Sequence, residues 1–209
     1  MDGLLIDSEP LWKQAEMKVF TAVGVPLTLE MTAQTMGMRT DEVVEYWHKR
    51  YPWETPSQHD IGTQIDETVV ELIKTVGQPK EGVDKAILAC ESLGLPIAIA
   101  SSSSLPLINS VLEKLNIADK MKVVHSAHDE TFGKPHPAVY ISTAAELGVH
   151  PNHCVAFEDS ANGVLSAKAA KMKCIAIPEP EMRDDKRFGI ADLILDSLND
   201  FEAEMLEDL

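Results

Sequence analysis

Apolar residues recur at helical spacing through the first third of the chain. Leu11, Ala15, Val19 and Ala22 mark one face, with Gly24 as the stop and Pro26 beyond it. Val43, Val44, Trp47 and Tyr51 mark a second helix, with capping side chains at Thr40 and Asp41 and a break at Pro52. Ile65, Val69, Leu72, Ile73 and Val76 mark a third, closed by Gly77. No strand pattern interrupts this stretch, so residues 9–78 read as a small helical module.

The pattern then changes. Val83, Ala86, Ile87, Cys90 and Leu93 form a helix face ending at Gly94, and LPIAIA (95–100) is a continuous apolar run, as expected of a strand buried on both faces. A helix over 107–115, a strand at 123–124, a helix over 138–147, a strand at 154–157, an Ala-rich helix over 161–172 and a strand at 174–177 follow. A weaker strand and helix, at 193–195 and 198–206, close the chain. Such alternation predicts an α/β fold with a parallel sheet covered on both faces. The expected division is a short core segment at 1–8, the inserted helical module at 9–78 and the α/β core at 79–209.

Charge narrows the choice of ligand. Across 209 residues, 34 acids face 18 bases, a formal net charge of -16. A surface this acidic repels phosphate backbones and anionic lipid, so neither nucleic acid nor membrane is an expected partner. No apolar run has membrane-spanning length and no signal-peptide pattern opens the chain, so the expectation is a cytoplasmic protein, and a monomer. Cys90, Cys154 and Cys174 lie apart in apolar patterns and read as small buried hydrophobes in a reducing compartment.

In open parallel sheets ligands bind beyond the carboxyl ends of the strands, so the polar residues just after each apolar run are the informative ones. These are Ser101 to Ser104 after LPIAIA, Gly133-Lys134-Pro135 after the strand at 123, and Glu158-Asp159-Ser160 after CVAF. Each suits a structural role alone: a helix cap, a surface turn or a second cap. Together they form a set of hydroxyls, one lysine and paired carboxylates. Hydroxyls and lysine suit the oxygens of a phosphate, and the acids offer hard ligands for Mg²⁺. Asp2-Gly3 reads as a turn of the kind that follows a strand, although only Met1 precedes it. Asp2 suits a general acid that protonates a leaving alcohol. His125, His128 and His136 show no ligand-like spacing and read as loop histidines.

These motifs resemble the haloacid dehalogenase superfamily of phosphohydrolases, in its branch with a helical cap after the first motif. MDGLLIDS matches the opening motif from its middle onward, and Ser101 after IAIA matches the second. Gly133-Lys134-Pro135 with Pro137 matches the basic motif, and Phe157-Glu158-Asp159-Ser160 with Asn162-Gly163 the acidic one. The resemblance implies a Rossmann-like core with an α-helical cap. It also implies a Mg²⁺-dependent phosphatase for small phosphorylated sugars, such as 2-deoxyglucose 6-phosphate and hexose or hexitol phosphates, working through an aspartyl-phosphate. It gives Asp2 the acid/base role and a backbone carbonyl for the metal. Ser101 and Lys134 hold phosphate, Asp159 binds the metal, and Glu158 joins it directly or through water. Ser103 and Asn162 are further phosphate contacts, and Arg39 on the cap is a candidate contact to the leaving group. The family's nucleophilic aspartate falls one residue before Met1, on a strand this sequence does not contain; the expectation is a polypeptide with a further strand upstream. Two rivals stand beside this reading: a phosphosugar mutase, disfavoured by Trp12 where mutases tend to carry histidine, and an inactive truncated scaffold or binding protein.

Overall fold

A computed structural model describes residues 1–207 and 209. After the opening turn come the helices α1 (Glu9–Ala22), α2 (Leu29–Thr32), α3 (Thr40–Arg50) and α4 (Gln58–Val76). The alternating part follows as α5 (Val83–Ser92), β1 (Ile97–Ser101), α6 (Leu105–Leu115), β2 (Met121–Ser126), α7 (Ala138–Leu147), β3 (Val155–Glu158), α8 (Ala161–Ala169), β4 (Lys173–Ala176) and β5 (Leu193–Ile194).

The first helices bury Phe20, Trp47, Ile61, Ile65 and Ile73 against one another. Helix α4 also lies along α6, so Leu107 and Val111 belong to the same apolar cluster. The helical group is therefore anchored to the core by shared side chains as well as by its connections. The chain enters and leaves it through neighbouring segments. Asp7 N–H donates to the Gln78 carbonyl at 2.9 Å, and Lys80 N–H to that of Leu5 at 3.0 Å. Ile6, fully buried between them, fixes both crossings and the turn that carries Asp2.

All strand pairs are parallel, β1 with β2 and β3 with β4 and β5, as the buried apolar runs require. Among the described residues these are two separate sheets. The facing edges of β1 and β3 line one apolar cavity of about 390 Å³, together with Leu4, Leu5, Val83 and Ile87.

Two expectations need correction. No helix forms over 198–206; two 3-10 turns stand there instead, at Leu198–Asp200 and Ala203–Leu206. Ser197 and Asp200 cap each other's backbone across the first turn, and Phe201 then extends and buries its ring edge-on against Phe157, centroids 5.0 Å apart. His125 lies within β2 rather than a loop, bridging Glu130 and Glu146 at 2.9 and 2.7 Å.

Truncating Ile6 to alanine removes the wedge between the two crossings. Urea denaturation should show a loss of about 2–5 kcal/mol, as for other fully buried aliphatic truncations.

Candidate active site

The ends of β1 and β3, the opening turn and the loop before α7 deliver their polar residues to one cavity of about 90 Å³. Its core wall includes Asp2, Ser101, Ser103, Lys134, Glu158 and Asp159. Trp12, Lys13 and Glu16 of α1 and the cap-loop residues Thr35 to Met38 also line it.

Asp2 is held by three donors. Ser8 Oγ and Trp12 Nε1 reach its Oδ1 at 2.9 and 3.1 Å, and Ser103 Oγ reaches Oδ2 at 2.7 Å. Ser8 also accepts the Gly3 N–H at 3.3 Å, which closes the turn. Gly3 adopts φ +62, and a Cβ there would collide with the Asp159 carboxylate. Only glycine lets the turn and Asp159 come this close.

Lys134 is buried and lines the cavity. Its Nζ donates to Glu158 Oε1 at 2.5 Å and to the Ala100 carbonyl of β1 at 3.1 Å, with the Tyr140 hydroxyl at 3.4 Å. Tyr140 also donates to the same Glu158 oxygen, while Ser160 Oγ donates to Oε2 at 3.2 Å. A Cβ on Gly163 would land on this carboxylate, so the first turn of α8 must carry glycine to make room. Burial alone would push the Glu158 carboxyl up, but the adjoining Lys134 ammonium overrides it and holds the group below its usual range.

Asp159 is in the opposite condition. It takes no side-chain hydrogen bond from the described residues. Burial and the charge of Glu158 push its carboxyl above the ordinary 3.8. A carboxyl with no partner, crowded by a second acid, is what a bound cation relieves. The Asp159 carboxylate is a hard oxygen donor of the kind Mg²⁺ prefers, and so fits that metal, and Asp2 in the adjoining turn lines the same cavity. Among the described residues no group of three or more His, Cys, Asp or Glu side chains could hold a metal. This donor set therefore relies on a backbone oxygen, water and substrate. Glu158, its oxygens engaged by Lys134, Tyr140 and Ser160, is placed to position Lys134 instead of binding the metal directly.

Of the other residues singled out in the sequence, Ser101 lines the cavity and accepts the Ser103 N–H at 3.2 Å. Ser103 serves Asp2. Asn162 lies off the cavity and donates to the Met36 carbonyl at 3.5 Å. Arg39 does not reach the cavity either. Its guanidinium donates to the carbonyls of Ala127 and Glu130 at 2.9 and 2.8 Å and pairs with Asp41 at 2.7 Å, which clamps the helical group to the core. The cap loop reaches the site instead through Gly37, whose carbonyl accepts from Ser102 Oγ at 3.0 Å.

Sequence reasoning missed Trp12, Tyr140 and Glu16. Trp12 and Glu16 lie four apart on α1, an i, i+4 signal that was readable as one face aimed at the site. Glu16 lines the cavity, and burial together with the charge of Glu9 pushes its carboxyl up to about 8 against the opposing pull of Lys13.

The chain is 40% identical over 207 residues to hexitol phosphatase B of Escherichia coli K12, covering 99% of this chain and 93% of that one. It is 28% identical to a probable pseudouridine-5'-phosphatase of Drosophila melanogaster, covering 98% and 90%. The structure of CbbY from Rhodobacter sphaeroides in complex with phosphate superposes with a TM-score of 0.87 at 26% identity, over 96% of this chain and 92% of that one. Residues 1–177 match the family model described as haloacid dehalogenase-like hydrolase, and the chain belongs to that family.

Proposed function

We propose that this phosphatase hydrolyses small phosphorylated sugars or sugar alcohols, with a hexitol phosphate as the leading candidate, and that it does so with Mg²⁺. The observation that carries the proposal is the Asp2 carboxylate, held by Ser8, Trp12 and Ser103 in a cavity walled by Ser101 and Lys134. The likeness to a hexitol phosphatase supports the substrate class.

Asp2 gives a proton to the sugar oxygen as the phosphorus–oxygen bond breaks. It then takes a proton from water, which attacks phosphorus in the second half-reaction. Ser101 and Lys134 hold the phosphoryl oxygens through both steps, and Glu158 keeps the ammonium aimed at them. Asp159 and the Asp2 carbonyl would hold Mg²⁺, which would offset the charge of the phosphoryl group.

The attacking group in this reading is a carboxylate carried by a strand in the cavity between β1 and β3. The inner edges of both strands have backbone N–H and C=O groups without ladder partners among the described residues, and the cavity between them is apolar. A parallel strand satisfies both edges at once. Its carboxyl end would lie beside Met1, which lines both cavities. This strand, carrying an aspartate next to Met1, would form an aspartyl-phosphate; water that gives a proton to Asp2 would then attack its phosphorus and release phosphate and the free aspartate.

Four outcomes test the reading. Fusing an apolar strand that ends in aspartate directly before Met1 should raise the melting temperature and produce phosphate release from glucitol 6-phosphate in Mg²⁺. Asparagine in place of that added aspartate should keep the stability and abolish the release. In the active protein, Asp2→Asn should cut kcat by about 10²- to 10⁴-fold, the usual worth of a general acid/base. Lys134→Ala leaves Glu158 buried without its cation and should cost about 3–5 kcal/mol in denaturant unfolding.

The pH dependence of metal binding follows from Asp159. Its carboxyl is raised in the folded state, so its contribution to stability is full below the unfolded pKa and drains away as pH rises through the folded one. Mg²⁺ needs the carboxylate. The melting temperature gained on adding Mg²⁺ should therefore be larger at about pH 8 than at about pH 5, read by differential scanning fluorimetry.

A further inference from the structure

Glu16 stands out among the acids of the cavity. It is only 8% exposed, on the face of α1 that also buries Ala15, Val19 and Phe20. Yet among the described residues nothing hydrogen-bonds or pairs with its carboxyl. Nor is that carboxyl sealed in the core: the sole fully enclosed side-chain polar atom without a partner among those residues is Trp47 Nε1. The Glu16 oxygens open onto the cavity, on the α1 and cap-loop side and across from the phosphate-holding wall.

The surroundings say what such a group can bind. Met36, Met38, Val43 and Ile65 line the same side and offer no hydrogen bonds. The hydroxyls of Thr32 and Thr35 spend their protons on the Leu29 and Thr32 carbonyls, at 2.8 and 3.2 Å, and face the cavity as acceptors only. Lys13 is engaged with Glu9 at 3.2 Å. Glu16 is thus a buried carboxyl without a partner among the described residues, on a wall that mixes apolar side chains with hydroxyls already engaged.

We propose that Glu16 selects the leaving group by hydrogen-bonding hydroxyls of a polyhydroxylated alkyl phosphate. This deepens the hydrolase reading above and rests on it for the orientation of the substrate. A carboxyl can grip two neighbouring hydroxyls, one through each oxygen, and in its protonated form it both donates and accepts. Burial holds it largely protonated at neutral pH, so it does not repel the phosphate across the cavity. A buried polar group left unpaired when a hydroxyl-poor ligand binds is the device that gives strong discrimination.

The test is calorimetric binding of glucitol 6-phosphate and of inorganic phosphate to the wild-type protein, Glu16→Gln and Glu16→Leu, all in Mg²⁺. The ratio of the two affinities is the readout, because inorganic phosphate reaches Ser101 and Lys134 but has no carbon chain to meet Glu16. Glu16→Leu should weaken glucitol 6-phosphate by about 10- to 100-fold, the worth of one or two lost hydrogen bonds, and leave phosphate within about twofold. Glu16→Gln, which still donates and accepts, should recover part of the loss. Neither variant should lower the melting temperature at neutral pH, since the buried acid stabilises nothing there.

Equal weakening of both ligands, or of neither, overturns the assignment. So does a wild-type protein that binds glucitol 6-phosphate no more tightly than phosphate. If Glu16 discriminates as expected but no phosphate is released even with the added strand, the assignment stands and the hydrolase reading fails.

Discussion

The buried pair of Lys134 and Glu158 is the constraint on which the site depends. Its ammonium ties the end of β1, the loop before α7 and the end of β3 into one unit through the Ala100 carbonyl and the Glu158 carboxylate. Two opposite charges taken out of water are tolerable only when their remaining hydrogen-bonding capacity is filled, and Tyr140 and Ser160 fill it. Once that is done, the positions of Ser101 and Asp159 follow, because Ser101 succeeds Ala100, whose carbonyl the ammonium holds, and Asp159 succeeds Glu158.

The pair also divides labour between adjacent acids. Glu158 and Asp159 are neighbours in the chain but point into different fields. Glu158 meets a cation and stays ionised; Asp159 meets the charge of Glu158 and holds its proton more tightly. In a protein of net charge -16 two adjacent acids are thereby kept in different states. One acid is spent holding the lysine in place, and the other is left available for a metal. The surface charge then acts only at long range, where salt screens it.

Much of this was legible in the sequence. The short apolar runs IAIA and CVAF have no polar alternation, and such runs form buried parallel strands whose ends gather hydroxyls and acids. The motif residues Asp2, Ser101, Lys134, Glu158 and Asp159 meet in one cavity because strand ends converge, a rule that needs no coordinates. What stayed hidden depends on side-chain direction. Arg39 carries the right charge for a substrate contact, but the carbonyls of Ala127 and Glu130 are nearer and claim it. Tyr140 looks like any aromatic on a helix face until Glu158 is found beside it. The run at 198–206 has enough leucine for a helix, yet the reciprocal cap of Ser197 and Asp200 and the burial of Phe201 end it after one turn.

Helix α1 carries Trp12 and Glu16 one turn apart, about 6 Å along its axis. Trp12 touches the acid, and Glu16 faces the space beyond it. A rigid rod with both marks on it couples two properties that lineages of enzymes often adjust separately. Tilting or sliding α1 to suit a bulkier substrate would drag the indole away from Asp2 and retune the proton donor at the same time. Divergence toward new substrates is therefore easier by exchanging the residue at position 16 on an unmoved helix than by remodelling the helix. The architecture favours evolution by letters over evolution by shape.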